Sequence, residues 1–128
     1  MKRLLVLAAI VLAACATKEL SIADLSERTA EQHLLAALKD YADGDYAVAA
    51  LRFHQALAAG LTYDRDRVIA YKHLAFIDCA TDKIAACRDE FRHALKIDPN
   101  LDLSEAEAGH PVWGPVFAGV KAEKDARQ

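Results

Sequence analysis

A chain of 128 residues carrying 19 acidic and 16 basic side chains is mildly acidic and sized for one small domain. Setting aside residues 1–14 removes Lys2 and Arg3 but no acid, which leaves 14 basic against 19 acidic side chains, a net charge of −5. A chain of that sign with no clustered basic patch is excluded as a nucleic-acid binder, because such binding requires cations that neutralise phosphates.

The N-terminus reads Met1-Lys2-Arg3, then an unbroken apolar run from Leu4 to Ala14, closed by Leu12-Ala13-Ala14-Cys15. A basic start, a short apolar stretch and small residues at its end are the parts of a secretory signal. Eleven apolar residues are too few for a membrane-spanning helix, which needs about 20. Leu-Ala-Ala-Cys resembles a lipobox. By that resemblance the Cys15 sulfur takes a diacylglycerol, the chain is cut just before it, and the new amine is acylated. Two acyl chains are enough for stable anchoring. The alternative is an ordinary signal cut nearby, with Cys15 incidental. Ala16, not Asp, follows the cysteine, so the expected address is the periplasmic face of the outer membrane. Residues 15–28 then read as a lipidated tether, 29–120 as a helical domain and 121–128 as a charged tail.

Thr29 and Gln32 have capping-box spacing, with Ser26 as an alternative helix start. Leu34, Ala37, Leu38 and Tyr41 recur at i, i+3, i+4 and i+7, one face of a helix. Asp43-Gly44-Asp45 breaks the pattern. Tyr46, Ala49, Ala50, Phe53 and Leu57 begin a second stripe that Gly60 ends. The two stripes predict a helical hairpin.

The hairpin recurs. A shift of 38 residues sets Ala37 on Ala75, Ala42 on Ala80, Tyr46 on Ile84, Ala49 on Cys87, Phe53 on Phe91, Ala56 on Ala94 and Leu57 on Leu95. Both copies, Tyr41 to Leu57 and Ile84 to Pro99, resemble the tetratricopeptide pattern, whose period is about 34. The four additional residues fit the link Gly60-Leu-Thr-Tyr-Asp-Arg-Asp66. The departures are Asp82 where the turn usually holds Gly, and Leu61 where a Pro is common. An unrelated four-helix arrangement is the alternative. The expected fold is all-α: two tetratricopeptide-like hairpins stacked as a short superhelix with a C-terminal capping helix.

A cap is required because two repeats leave an apolar face open. Ser104 and Glu107 form a further capping box, and Gly109 ends that short turn. His110-Pro-Val-Trp-Gly-Pro-Val-Phe117 follows, with Pro115 as the first residue of a last helix packed through Val116, Phe117 and Val120. Residues Lys121 to Gln128 are expected to trail into solvent. Cys79 and Cys87 face each other across the second hairpin, as a disulfide or as two buried thiols; an oxidising compartment favours the bond.

Chemistry is sparse. His33, His54, His73, His93 and His110 form neither an HExxH pair nor zinc-ligand spacings. The first four lie on helices among charged neighbours and read as surface or half-buried packing. Asp43-Gly-Asp45 lacks the remaining ligands of a calcium loop. Tyr63-Asp-Arg-Asp-Arg67 reads as a solvated first helical turn. With no phosphate loop and no nucleophile elbow, no enzyme, metal or cofactor is expected beyond the lipid on Cys15. A helical repeat of this kind binds other proteins. Its inner face offers Leu34, Leu38 and Tyr41 from the first repeat, then Ile69, Lys72, His73 and Phe76 from the second. That groove is either open to a partner or covered by the tether helix or the last helix.

The run from Lys72 to Cys79, then Ala86 to Phe91, Ala94 to Pro99 and Asp102 to Phe117, is similar to the TssQ family of small lipoproteins associated with the type VI secretion system. The two cysteines and the HPVWGPVF ending carry the resemblance. It implies an accessory envelope component tethered to the outer membrane, with envelope proteins as partners. It also makes His110, Trp113, Pro115 and Phe117 important, either in capping the fold or in touching a partner. Other readings are a pilotin-like or outer-membrane assembly lipoprotein, and a binder of periplasmic peptides or peptidoglycan fragments.

Overall fold

The apolar stripes resolve into helices α1 (Ile22–Asp43), α2 (Tyr46–Ala59), α3 (Asp64–Ala80), α4 (Ile84–Ile97), the single turn α5 (Glu105–Ala108) and α6 (Trp113–Asp125) in a computed structural model. It describes residues 21–128. The signal segment, Cys15 and the first part of the tether lie outside the described residues. The protein is all-α: α1 pairs with α2, α3 with α4, the two hairpins stack through α2 and α3, and α6 lies against α4 and α3.

The 38-residue shift carries over to the core at four of its seven pairs. Ala37 and Ala75, Ala49 and Cys87, Phe53 and Phe91, and Ala56 and Ala94 are each fully buried. Small side chains let the paired helices approach closely, and the phenylalanines fill the space between layers. The repeat extends to its one irregularity. Gly44 ends α1 at φ 85, and Asp82, its equivalent in the second turn, stands at φ 64. The turn demands a left-handed residue. Glycine meets that demand freely, and aspartate is among the few other residues that tolerate it.

Two clusters form the interior. The first joins Ala30, Leu34, Ala37, Phe53, Leu61 and Leu74 across α1, α2 and α3. The second joins Phe76, Cys79, Cys87, Phe91 and Leu95 of the second hairpin to Leu103, Phe117 and Val120 of the C-terminal segment. That segment is the expected cap. The Ser104 hydroxyl accepts from Glu107 N (3.2 Å), and the Glu107 carboxylate accepts from Ser104 N (3.0 Å), which fixes α5.

Four expectations are corrected. Helix α1 begins at Ile22, seven residues ahead of Thr29, because Ser21 and Asp24 form the capping box. Thr29 instead bonds back to Leu25 O (2.8 Å) from inside the helix, so residues 22–28 are helical. At the other end α6 continues to Asp125, and residues 121–125 are not a trailing tail: Glu123 pairs with Arg88 and Arg92 of α4, and Lys124 donates to Pro99 O (2.8 Å). Helix α6 also opens at Trp113, so Pro115 is its third residue; the first turn of a helix has no intrahelical acceptor for those N–H groups, and proline fits there without loss. Finally, Asp66 is buried, not solvated; it lies in the first turn of α3, where the helix dipole favours a carboxylate, and Arg65 Nε is 3.0 Å away.

Candidate functional site

The inner-face residues converge, but mostly on one another. Leu34 and Phe76 are buried, and Leu38, Tyr41 and Ile69 are half-buried against the first core. His73 sits at the centre of this wall. Its ring meets Tyr41 edge-on at 4.9 Å, stacks with Phe53 at 5.4 Å and meets Phe76 at 5.8 Å. His73 Nδ1 donates to Ile69 O (2.8 Å). Burial pushes its pKa down, with Lys72 adding to the shift, so the ring is held neutral.

The second repeat's share of the groove is covered by the chain's own C-terminal segment. Trp113 stacks on Phe76 with ring centroids 4.5 Å apart. Lys72 Nζ is 2.8 Å from Glu107 Oε1 and lies over the Phe76 ring at 5.7 Å. Burial alone pushes the Glu107 carboxyl up, but hydrogen bonds from Lys72 and Ser104 outweigh it and leave it below its usual value. The indole N–H of Trp113 donates to Glu107 O (2.9 Å). His110 stacks on the indole at 3.3 Å, and its Nδ1 accepts from Val112 N at 3.2 Å. Phe117 is buried against Phe91 (5.1 Å), while Pro115 is exposed. Lys72, His73, Phe76, His110, Trp113 and Phe117 therefore form one continuous joint that closes the second hairpin.

Cys79 and Cys87 are bonded as a disulfide, with Cα atoms 5.2 Å apart across the α3–α4 turn, and both residues are buried. The pairing follows from the hairpin: Cys79 stands in the last turn of α3 and Cys87 in the first turn of α4, which the short link brings side by side.

Most of the large apolar side chains that stay exposed lie on the first hairpin, with Tyr63 (56%) and Val112 (37%) outside it. Ile22 (87% exposed), Leu35 (68%) and Leu51 (58%) stand out, with Leu25 and Val48 close behind. Ile22 and Leu25, and Val48 and Leu51, are each i, i+3 neighbours on one helix face. Periodicity misses these residues because it follows the stripes that point inward; apolar residues off the stripe are the available signal.

Among the described residues no three His, Cys, Asp or Glu side chains are grouped to hold a metal, and no helix is long and apolar enough to cross a membrane. Set against known protein families, curated proteins and solved structures, the chain matches none of them.

Proposed function

We propose that this chain is a lipid-anchored adaptor of the bacterial envelope, built on tetratricopeptide-like hairpins and accessory to the type VI secretion system. The observation that carries the adaptor reading is the asymmetry of the stack. The second hairpin is closed by α5 and α6, whereas the first exposes Leu35 and Leu51 together with Ile22, Leu25 and Val48. A terminal repeat normally presents a polar outer face, and a large exposed apolar set on one end marks an interaction surface. The first hairpin is also the one nearer along the chain to the lipobox-like Leu-Ala-Ala-Cys15. The secretion assignment rests on the resemblance to the TssQ family, and its residues share one core: Phe76, Cys79, Cys87, Phe91 and Phe117 belong to a single cluster, with Trp113 packed on it.

The test is made in cells that produce the full chain. Cys15→Ala should release the protein from the membrane fraction, and a product that stays membrane-bound removes the anchor. Leu35→Glu and Leu51→Glu should abolish cross-linking to type VI envelope components while leaving thermal unfolding unchanged. Cross-linking that persists in both moves the interface elsewhere, and unimpaired type VI effector delivery in a deletion strain removes the secretion role.

A further inference from the structure

A cleft of about 390 Å³ lies between the C-terminal ends of α4 and α6. Its volume is at the lower end of the range for small-molecule sites. We propose that it binds an anionic amphiphile of the medium-chain fatty-acid class, a ligand independent of the adaptor role above.

The floor is aliphatic. Leu95 and Val120 are buried beneath it, Pro99 forms one side, and Arg92, Lys96, Glu123, Lys124, Arg127 and Gln128 line the rest. Long basic side chains lay their methylene stems along apolar surface and keep their charged ends at the water boundary. The cleft is thus apolar below and cationic at its mouth. No aromatic ring lines it, so nothing there favours a planar ring or a nucleobase.

The charge is the second observation. Four cations and one carboxylate, Glu123, line the cleft of a protein whose overall charge is negative. Glu123 is already held by Arg88 (3.4 Å) and Arg92 (3.0 Å). Lys124 is tied to Pro99 O and lies 3.8 Å from Asp125. Among the described residues Lys96 forms no ion pair, and Arg127 acts on Glu123 only through its field. Lys96 and Lys124 each stand in the last turn of a helix, where a cation offsets the dipole. That accounts for one charge per terminus, but not for the apolar floor the charges surround. At roughly 30 Å³ per heavy atom, the share of a water molecule in the liquid, the cleft takes about a dozen heavy atoms, the size of decanoate. The aliphatic chain would lie on Leu95, Pro99 and Val120, with its carboxylate between Lys96 and Arg127.

The experiment uses the full chain in whole-cell lysate, membrane and soluble fractions together, and a decanoate that carries a photoreactive diazirine. Label should map to the segments of α4 and α6 around Leu95 and Val120. Unlabelled decanoate should compete at least about tenfold better than decanol, the contribution of one desolvated charge contact. The surface variant Lys96→Glu/Arg127→Glu should lower labelling by about the same factor with an unchanged proteolysis pattern, and Val120→Trp should fill the cleft and block it. Equal competition by decanol or decyltrimethylammonium, labelling that the double charge reversal leaves intact, or label mapped outside these helices overturns the proposal.

Discussion

Phe76 of α3 and Trp113 of α6 stack with their ring centroids 4.5 Å apart, and the Trp113 indole N–H reaches Glu107 O at 2.9 Å. One side chain thereby joins the inner face of the second hairpin to both parts of the cap. Trp113→Ala should cost about 2–3 kcal/mol, somewhat below a fully buried tryptophan because the residue is only half-buried. Trp113→Phe keeps the stacking and loses the hydrogen bond, for a cost of about 1 kcal/mol. Urea denaturation of the two variants separates these contributions. An unchanged midpoint in Trp113→Ala would make the residue a partner contact and not a joint.

Gly114 permits that joint. A Cβ at this position would stand 2.2 Å from Ala108 O, a backbone atom at the end of α5 that has no side-chain freedom to yield. Gly114→Ala should therefore push α5 and α6 apart and destabilise by about 2 kcal/mol or more. At Gly119, on the same helix, an added Cβ would meet no atom within 4 Å, so Gly119→Ala should be neutral or slightly stabilising through helix propensity. The paired melting temperatures test the contrast.

The Cys79–Cys87 bond closes a loop of nine residues, since its partners are eight apart. On chain-entropy grounds it stabilises by about 2.5 kcal/mol. Reduced protein should unfold at a correspondingly lower urea concentration. Because both cysteines are buried, reductant should act slowly on the native protein and quickly once it is unfolded. Thiol titration with and without denaturant measures that difference.

Stability should also respond to pH through Glu90. Burial, with help from Asp78 and Asp89, pushes its carboxyl from 4.5 up to about 7. The folded chain then holds this proton more tightly than the unfolded one, so the contribution is present below about pH 4.5 and is lost as pH rises through about 7. The full shift corresponds to about 3 kcal/mol, and partial exposure with solvent screening reduces it to roughly 1 kcal/mol. Glu90→Gln should be more stable than the parent by that amount at about pH 8 and equal to it at about pH 4. His73 acts on the other flank. Its lowered pKa makes the neutral ring the folded form, so stability falls as pH drops below 6.5, in parent and variant alike. Urea midpoints of the two proteins across this range isolate the Glu90 contribution.

Most of the architecture is legible along the chain. Periodicity places α1 and α2, and the 38-residue register extends the hairpin to α3 and α4 and identifies four pairs that share full burial, because helix packing repeats whenever the spacing of small and large side chains repeats. Even the substitution of Asp82 for glycine is readable as a left-handed turn once Gly44 is set beside it. The ends are not legible to the same degree. Thr29 with Gln32 and Ser21 with Asp24 are equally good caps on paper, and the upstream pair prevails. Residues 121–125 look like solvated charge until Glu123 is seen against Arg88 and Arg92, 31 to 35 residues away.

Local sequence by itself determined the helices, their pairing, the facing cysteines and the need for a cap, since each depends on contacts within a turn or across a short loop. Only the tertiary structure decided that the cap covers Lys72 and Phe76, that most of the exposed large apolar residues lie on the first hairpin, and that Leu95, Val120 and four cations line one cleft. Those outcomes depend on which faces meet after distant helices dock, and side chains that point in the right direction on their own helix do not specify what will stand opposite them.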